Sequence, residues 1–158
     1  TAPYLYINGE HLSDALDAAE MEAAVTDAHQ IDPGVLVDLI ADFSLDSIPI
    51  EIVLTPTRDV DLTSYSLFVA VYENEIDTVT PPGTNGQTEF HHVFRDRLDT
   101  LLSLGALAAG TPVVYNVTLA RGSMVPDNIT AVAFIQNEAD KSILQAGSTA
   151  VSYAPFMQ

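Results

Sequence analysis

Val125-Pro126-Asp127-Asn128-Ile129-Thr130-Ala131-Val132-Ala133-Phe134-Ile135-Gln136-Asn137-Glu138-Ala139-Asp140-Lys141-Ser142-Ile143-Leu144-Gln145 is the stretch on which the fold turns. Branched and aromatic residues run from Ile129 to Gln136, a polar break follows, and a second apolar run begins at Ile143. Such side chains suit a pleated surface and Asn and Asp suit a turn. The tract therefore reads as two paired strands of a β-sandwich.

Upstream, Val35 to Phe43 and Ile48 to Leu54 read as strands, the second alternating Ile50, Ile52 and Leu54 onto one face. Pro49 predicts an edge or a strand start, because it cannot donate to a ladder. Tyr65 to Tyr72 predicts a central strand, and residues 81 to 86, Pro-Pro-Gly-Thr-Asn-Gly, a long exposed loop. His91 to Arg95 reads as a strand and Arg97 to Leu104 as a helical turn or a loop ending near Gly105. Pro112 to Leu119, Ser142 to Ala146 and Thr149 to Tyr153 complete the expected strands. About eight strands without regular intervening helices favour an antiparallel two-layer β-sandwich, jelly-roll or immunoglobulin-like, over a parallel α/β sheet.

The first residues follow another pattern. Tyr4-Leu5-Tyr6-Ile7 is strand-like and Asn8-Gly9 is a tight-turn signal. From Ser13 to about Ala28, Leu12, Leu16, Ala19 and Ala23 line one apolar helix face, with Ser13 as cap and Asp14 and Asp17 in the first turn. That alanine-rich face should pack closely against another element. Asp32-Pro33-Gly34 then marks the expected boundary between a strand-turn-helix element, residues 1–31, and a sandwich domain, residues 32–158.

Composition narrows the function. The formal charge of −17, from 22 acidic residues against five basic ones, opposes binding to nucleic acid or an anionic membrane. Without cysteine there is no disulfide, thiolate metal site or thiol chemistry. No apolar run reaches the ~18 residues of a membrane helix. The start at Thr1, the scarcity of lysine, and Asn-x-Thr sequons at Asn116 and Asn128 lead us to expect a processed, exported, extracellular or cell-surface protein, with both asparagines as possible glycosylation sites.

The ordered set Ser66 to Glu73, His92 to Arg95, Asn128 to Gln136 and Ile143 to Ala146 resembles the C-terminal β-sandwich of thioredoxin-like exported proteins of the twenty-eight-kilodalton outer membrane protein type. The likeness covers about residues 35 to 150. Residues 2 to 9 followed by a helix look like the end of a thioredoxin fold, in which Pro3 would be the cis-proline. The resemblance places any Cys-x-x-Cys half outside this chain, so it implies no redox activity here.

For metal binding, His91 and His92 are imidazole candidates for copper or zinc, with Met124 as a soft third ligand. Neighbours on a strand point to opposite faces, and the ligand spacing of copper monooxygenases with this architecture is absent, so copper is not expected; His91 should be exposed and His92 packed near Arg95. Asp59 and Asp61, with Glu73, Glu75 and Asp77, offer the oxygen ligands of a weak calcium site but lack a dedicated loop. Arg95 and Arg97 should pair with carboxylates, Asp96 and Asp99 being near in sequence. No nucleophile elbow or phosphate loop occurs. The expectation is a non-catalytic accessory or binding module with a protein partner and no cofactor. The rivals are a filament subunit joined by addition of the Tyr4 to Ile7 strand and, below it, a fragment of a thioredoxin-like oxidoreductase or a copper enzyme.

Overall fold

A computed structural model describes residues 5–12, 17–80 and 82–149. In chain order the elements are β1 (Tyr6–Ile7), β2 (Glu10–His11), α1 (Ala18–His29), β3 (Val35–Ala41), β4 (Ser47–Pro56), β5 (Val60–Asp61), β6 (Tyr65–Asp77), β7 (Glu89–Arg97), β8 (Leu102–Ser103), β9 (Ala106–Leu107), β10 (Val113–Ala120), a 3-10 turn (Pro126–Asn128), β11 (Ile129–Asn137) and β12 (Ile143–Ser148). Every strand pair is antiparallel. One sheet has the order β10-β4-β3 and the other β12-β11-β6-β7, with β8 also on β6. Of the seven long strands, the first, second and fifth face the third, fourth, sixth and seventh. That partition is immunoglobulin-like rather than the paired four-stranded sheets of a jelly roll.

Alternation builds the core. In β4, Ile48, Ile50, Ile52 and Leu54 are at most 1% exposed, while Ser47, Pro49 and Glu51 face water. Opposite them lie Leu67, Val69 and Val71 of β6 and Ala131, Ala133 and Ile135 of β11, in the register Val71 to Ala131, Val69 to Ala133 and Leu67 to Ile135. Alanine across from valine leaves room for the β4 isoleucines to interleave, and each such side chain contributes about 2–3 kcal/mol on burial. The opening hairpin stands as expected, with β11 and β12 paired and a turn in which Asn137 and Asp140 accept backbone N–H bonds from Ala139 and Ser142.

Pro49 lies in the central strand of its sheet, not at an edge. It is tolerated because the β3 ladder ends at Ala41 opposite Ile50, and the Asp42 N–H then closes the hairpin on the Pro49 carbonyl without needing a donor from proline. Arg97 to Leu104 forms no helix: β7 continues through Arg97, and Leu102–Ser103 pairs with β6. Leu98 and Leu102 pack on the core, which outweighs local helix preference. The helix begins at Ala18, capped by Asp17, whose Oδ1 accepts from the N–H groups of Ala19 and Glu20; Ser13 and Asp14 lie outside the described residues. No residue of α1 is buried, and a groove of about 510 Å³ separates its last turn from β3 and β12. An alanine face brings too little area to pack tightly. The β1–β2 turn, by contrast, is anchored. Asn8 and Gly9 both take positive φ, Asn8 Oδ1 accepts the Ile143 N–H at 3.0 Å, and a side chain at Gly9 would strike the Lys141 backbone. Pro3, Tyr4 and the strand expected at Thr149 to Tyr153, save Thr149, lie outside the described residues.

The two sheets approach each other most closely along β3 and β12. A Cβ at Gly147 in β12 would collide with the Val37 carbonyl in β3, and Gln145 Nε2 reaches the Val35 carbonyl at 3.4 Å. Gly147→Ala is expected to cost about 1–3 kcal/mol through overpacking, measured as a lower urea midpoint with unchanged slope.

Three turns repeat one device. Asp42, Asp61 and Asp140 each accept bonds from a Ser or Thr two residues on, and these bonds hold all three carboxyls below the ordinary value of 3.8. A lowered folded pKa means stability that is present above that value and lost as pH falls through the lower one. Thermal midpoints should therefore stay level down to about pH 5 and drop below about pH 4, and replacing all three by Asn should flatten the contribution of these turns to that drop.

Candidate functional site

The candidate residues separate into several places. Glu73 is 4% exposed, yet its carboxylate is fully used: Oε2 pairs with Arg95 and Oε1 accepts the Val125 N–H at 3.1 Å. Arg95 also reaches Ser123 Oγ at 3.4 Å. The position of Arg95 comes from a bulge, where Tyr72 pairs with Phe94 and Val71 with Asp96, so that Arg95 is left between. Glu73 is thus a clip joining β6, β7 and the segment before β11. Arg95 takes its carboxylate from Glu73 on the neighbouring strand and not from a residue beside it in sequence; Asp96 instead accepts the Arg97 backbone N–H at 2.8 Å.

His91 is exposed and Nε2 lies 2.8 Å from Glu89, while His92 takes a positive φ of 52° and sets its ring edge-on to Tyr72 at 5.5 Å. His92 thus packs on Tyr72. Met124 is 4% exposed and belongs to the core. Asp59 accepts the Ala109 N–H at 2.8 Å, and Asp61 accepts the Thr63 N–H at 3.0 Å. Glu75 and Asp77 extend along the β6–β7 arm beyond the end of β11. Among the described residues, no three His, Asp or Glu side chains converge in a way that could hold a metal ion.

The two sequons differ in geometry. Asn128 holds the Glu75 backbone with both ends of its amide, accepting at 3.1 Å and donating at 2.5 Å, and Thr130 is 3% exposed and bonded to Asn74. Asn116 and Thr118 stand exposed on β10, so a glycan fits there without breaking a bond.

A surface not anticipated as a site lies on the outer face of the smaller sheet. Leu36 (50%) and Ile40 (69%) on β3 and Val114 (49%) on β10 are exposed, with Asp38 and Glu51 between them in register. A groove of about 360 Å³ runs past Ile40, Asp42, Glu51, Asn116 and Thr118. The sequence signal was the unbroken apolar run of Val35-Leu36-Val37 and of Val113-Val114, where alternation predicts a polar outer residue. The surface is also stripped of positive charge. Arg58 pairs with Asp32, Arg95 with Glu73 and Arg121 with Asp46, and Lys141 donates to the Glu138 carbonyl at 2.6 Å.

Removing Arg95 strands a buried carboxylate. Arg95→Ala is expected to lower stability by about 3 kcal/mol in urea denaturation, and Glu73→Gln by less, because the amide oxygen can still accept the Val125 N–H.

No protein-family model matches the sequence, and no curated protein does. Among solved structures, the chain is similar to HBP35 of Porphyromonas gingivalis, with TM-score 0.63 and 17% identity over 92% of this chain and 50% of that one. Weaker likenesses, with TM-scores of 0.37 and 0.31, are to a penta-heme cytochrome c552 from Thermochromatium tepidum (7% identity, 77% of this chain and 40% of that one) and a β-glucosidase from Kluyveromyces marxianus (13%, 72% and 14%). The chain spans half the length of the HBP35 structure, and a coverage of 92% is too high to leave out the whole N-terminal element. What is shared with that protein is the fold.

Proposed function

We infer that the chain is a non-catalytic, exported β-sandwich module that binds another protein bearing basic charge. One observation carries this reading: the outer face of β10-β4-β3 exposes Leu36, Ile40 and Val114 around Asp38 and Glu51. Apolar side chains there lose water on contact and the carboxylates select a cationic partner. Four of the five basic side chains already hold bonds within the chain, so the surface offers little that would attract an anion. The buried polar side chains Ser66, Glu73 and Thr130 all have internal partners, leaving no group poised for chemistry among them.

A filament subunit is the second reading. Against it, Tyr6–Ile7 is committed to its own hairpin, and that hairpin is tied to Ile143 through Asn8. The HBP35 likeness supports the β-sandwich fold on which the module reading is built. Size-exclusion chromatography with light scattering tests the assignment. A module elutes as a 16.9 kDa monomer, whereas filaments or large oligomers formed by the chain alone would replace the module with the polymer.

A further inference from the structure

We propose that the free edge of β10 binds an extended, basic segment of the partner by adding it as a fourth strand to the β10-β4-β3 sheet. The proposal rests on the module reading above and names where and how it binds.

Pairing fixes what β10 offers. The Arg121 N–H bonds to the Asp46 carbonyl, and the register runs from Ala120 opposite Ser47 to Val113 opposite Leu54. Antiparallel ladders alternate, so Val113, Tyr115, Val117 and Leu119 direct their N–H and C=O groups at β4. Val114, Asn116 and Thr118 direct theirs away from it, and among the described residues no strand pairs with β10 on that side. A new strand would meet three consecutive donor-acceptor sets.

The other edges are guarded. β3 and β12 lie against each other at Gly147, and β7 carries a bulge, charges and the positive-φ His92. β10, by contrast, reads Val-Val-Tyr-Asn-Val-Thr-Leu-Ala, with no charge, no proline and a register free of shifts. Its inward side chains also lack cover. Val113, Tyr115 and Val117 stay half-buried, while the inward residues of β4 are at most 1% exposed. Opposite them, none of the nine residues of β7 is buried. Among the described residues, no strand extends the sheet beyond β10 on this side.

Charge selects the occupant. Glu51 lies directly across from Asn116 on β4, two strand spacings or roughly 10 Å from the added strand, within reach of an outward lysine or arginine. A second copy of this chain at −17 is repelled, whereas a segment alternating apolar and basic residues satisfies both faces. Inward apolar side chains would cover Tyr115 and Val117, and outward lysines or arginines would approach Glu51.

The test uses the whole chain and a fluorescent octapeptide of alternating Val and Lys, followed by anisotropy and amide exchange. Binding is expected to be saturable and to protect the amides of Val114, Asn116 and Thr118. Thr118→Pro, which removes an edge donor without touching the β4 ladder, should weaken it at least tenfold. The same peptide N-methylated at alternate amides should bind the wild-type chain at least tenfold more weakly, which holds even if the proline variant fails to fold. A Val and Glu peptide should not bind. Equal affinity for the methylated peptide, or protection elsewhere, would overturn edge pairing while leaving the module reading intact. Those three amides already protected in the free monomer would show that the chain covers its own edge, again overturning the proposal alone. A dimer dissolved by Thr118→Pro would overturn both.

Discussion

The structure depends on the contact between the inward row of β4 and the small-residue row of β11 beside β6. Ile48, Ile50, Ile52 and Leu54 can interleave across the sheets because Ala131 and Ala133 yield space where Val69 and Val71 do not. With the inner row fixed, a period of two leaves no choice for the outer row. Exposure of Leu36, Ile40 and Val114 is therefore a consequence of register, as much as burial of the isoleucines is.

Electrostatics follow the same economy. A chain with five basic residues places three of them, Arg58, Arg95 and Arg121, where they fasten segments together: Arg121 joins the β3–β4 loop to the turn after β10, through the Leu45 and Met124 carbonyls and Asp46, and Arg95 joins the bulge to buried Glu73. The remaining acidic surface is unneutralised. Its field discourages self-association over distances of about a Debye length.

Much of the architecture was legible in residue order. The β11–β12 pair, the alternation of β4, the Asn8-Gly9 turn and the single helix all follow from local patterns that tertiary packing reinforces. Legibility failed where packing overrode local preference. Arg97 to Leu104 has helical character, yet Leu98 and Leu102 are needed as lids on the core, and β8 pairs accordingly. Ser13 seemed the cap, but Asp17 is one turn closer to the alanine run and both N–H groups reach it. The pairing of Arg95 with Glu73 was hidden because a bulge is invisible in composition: it adds one residue to a strand whose sequence reads as regular. The site on the smaller sheet was written in the doubled valines and in Leu36 and Ile40, yet an apolar run alone does not distinguish a strand buried on both faces from one with an open side.

The contact of Gly147 with Val37 gives the sandwich a spine. Packed more closely along β3 and β12 than along β10 and β7, the two layers resemble a book held firmly at the back and loosely at the fore-edge. Thermal opening in such an object is directional. Peeling β10 outward breaks one ladder and exposes half-buried Val113, Tyr115 and Val117 together with buried Leu119. A partner that adds a strand would oppose that excursion, and recognition and rigidity would arrive together.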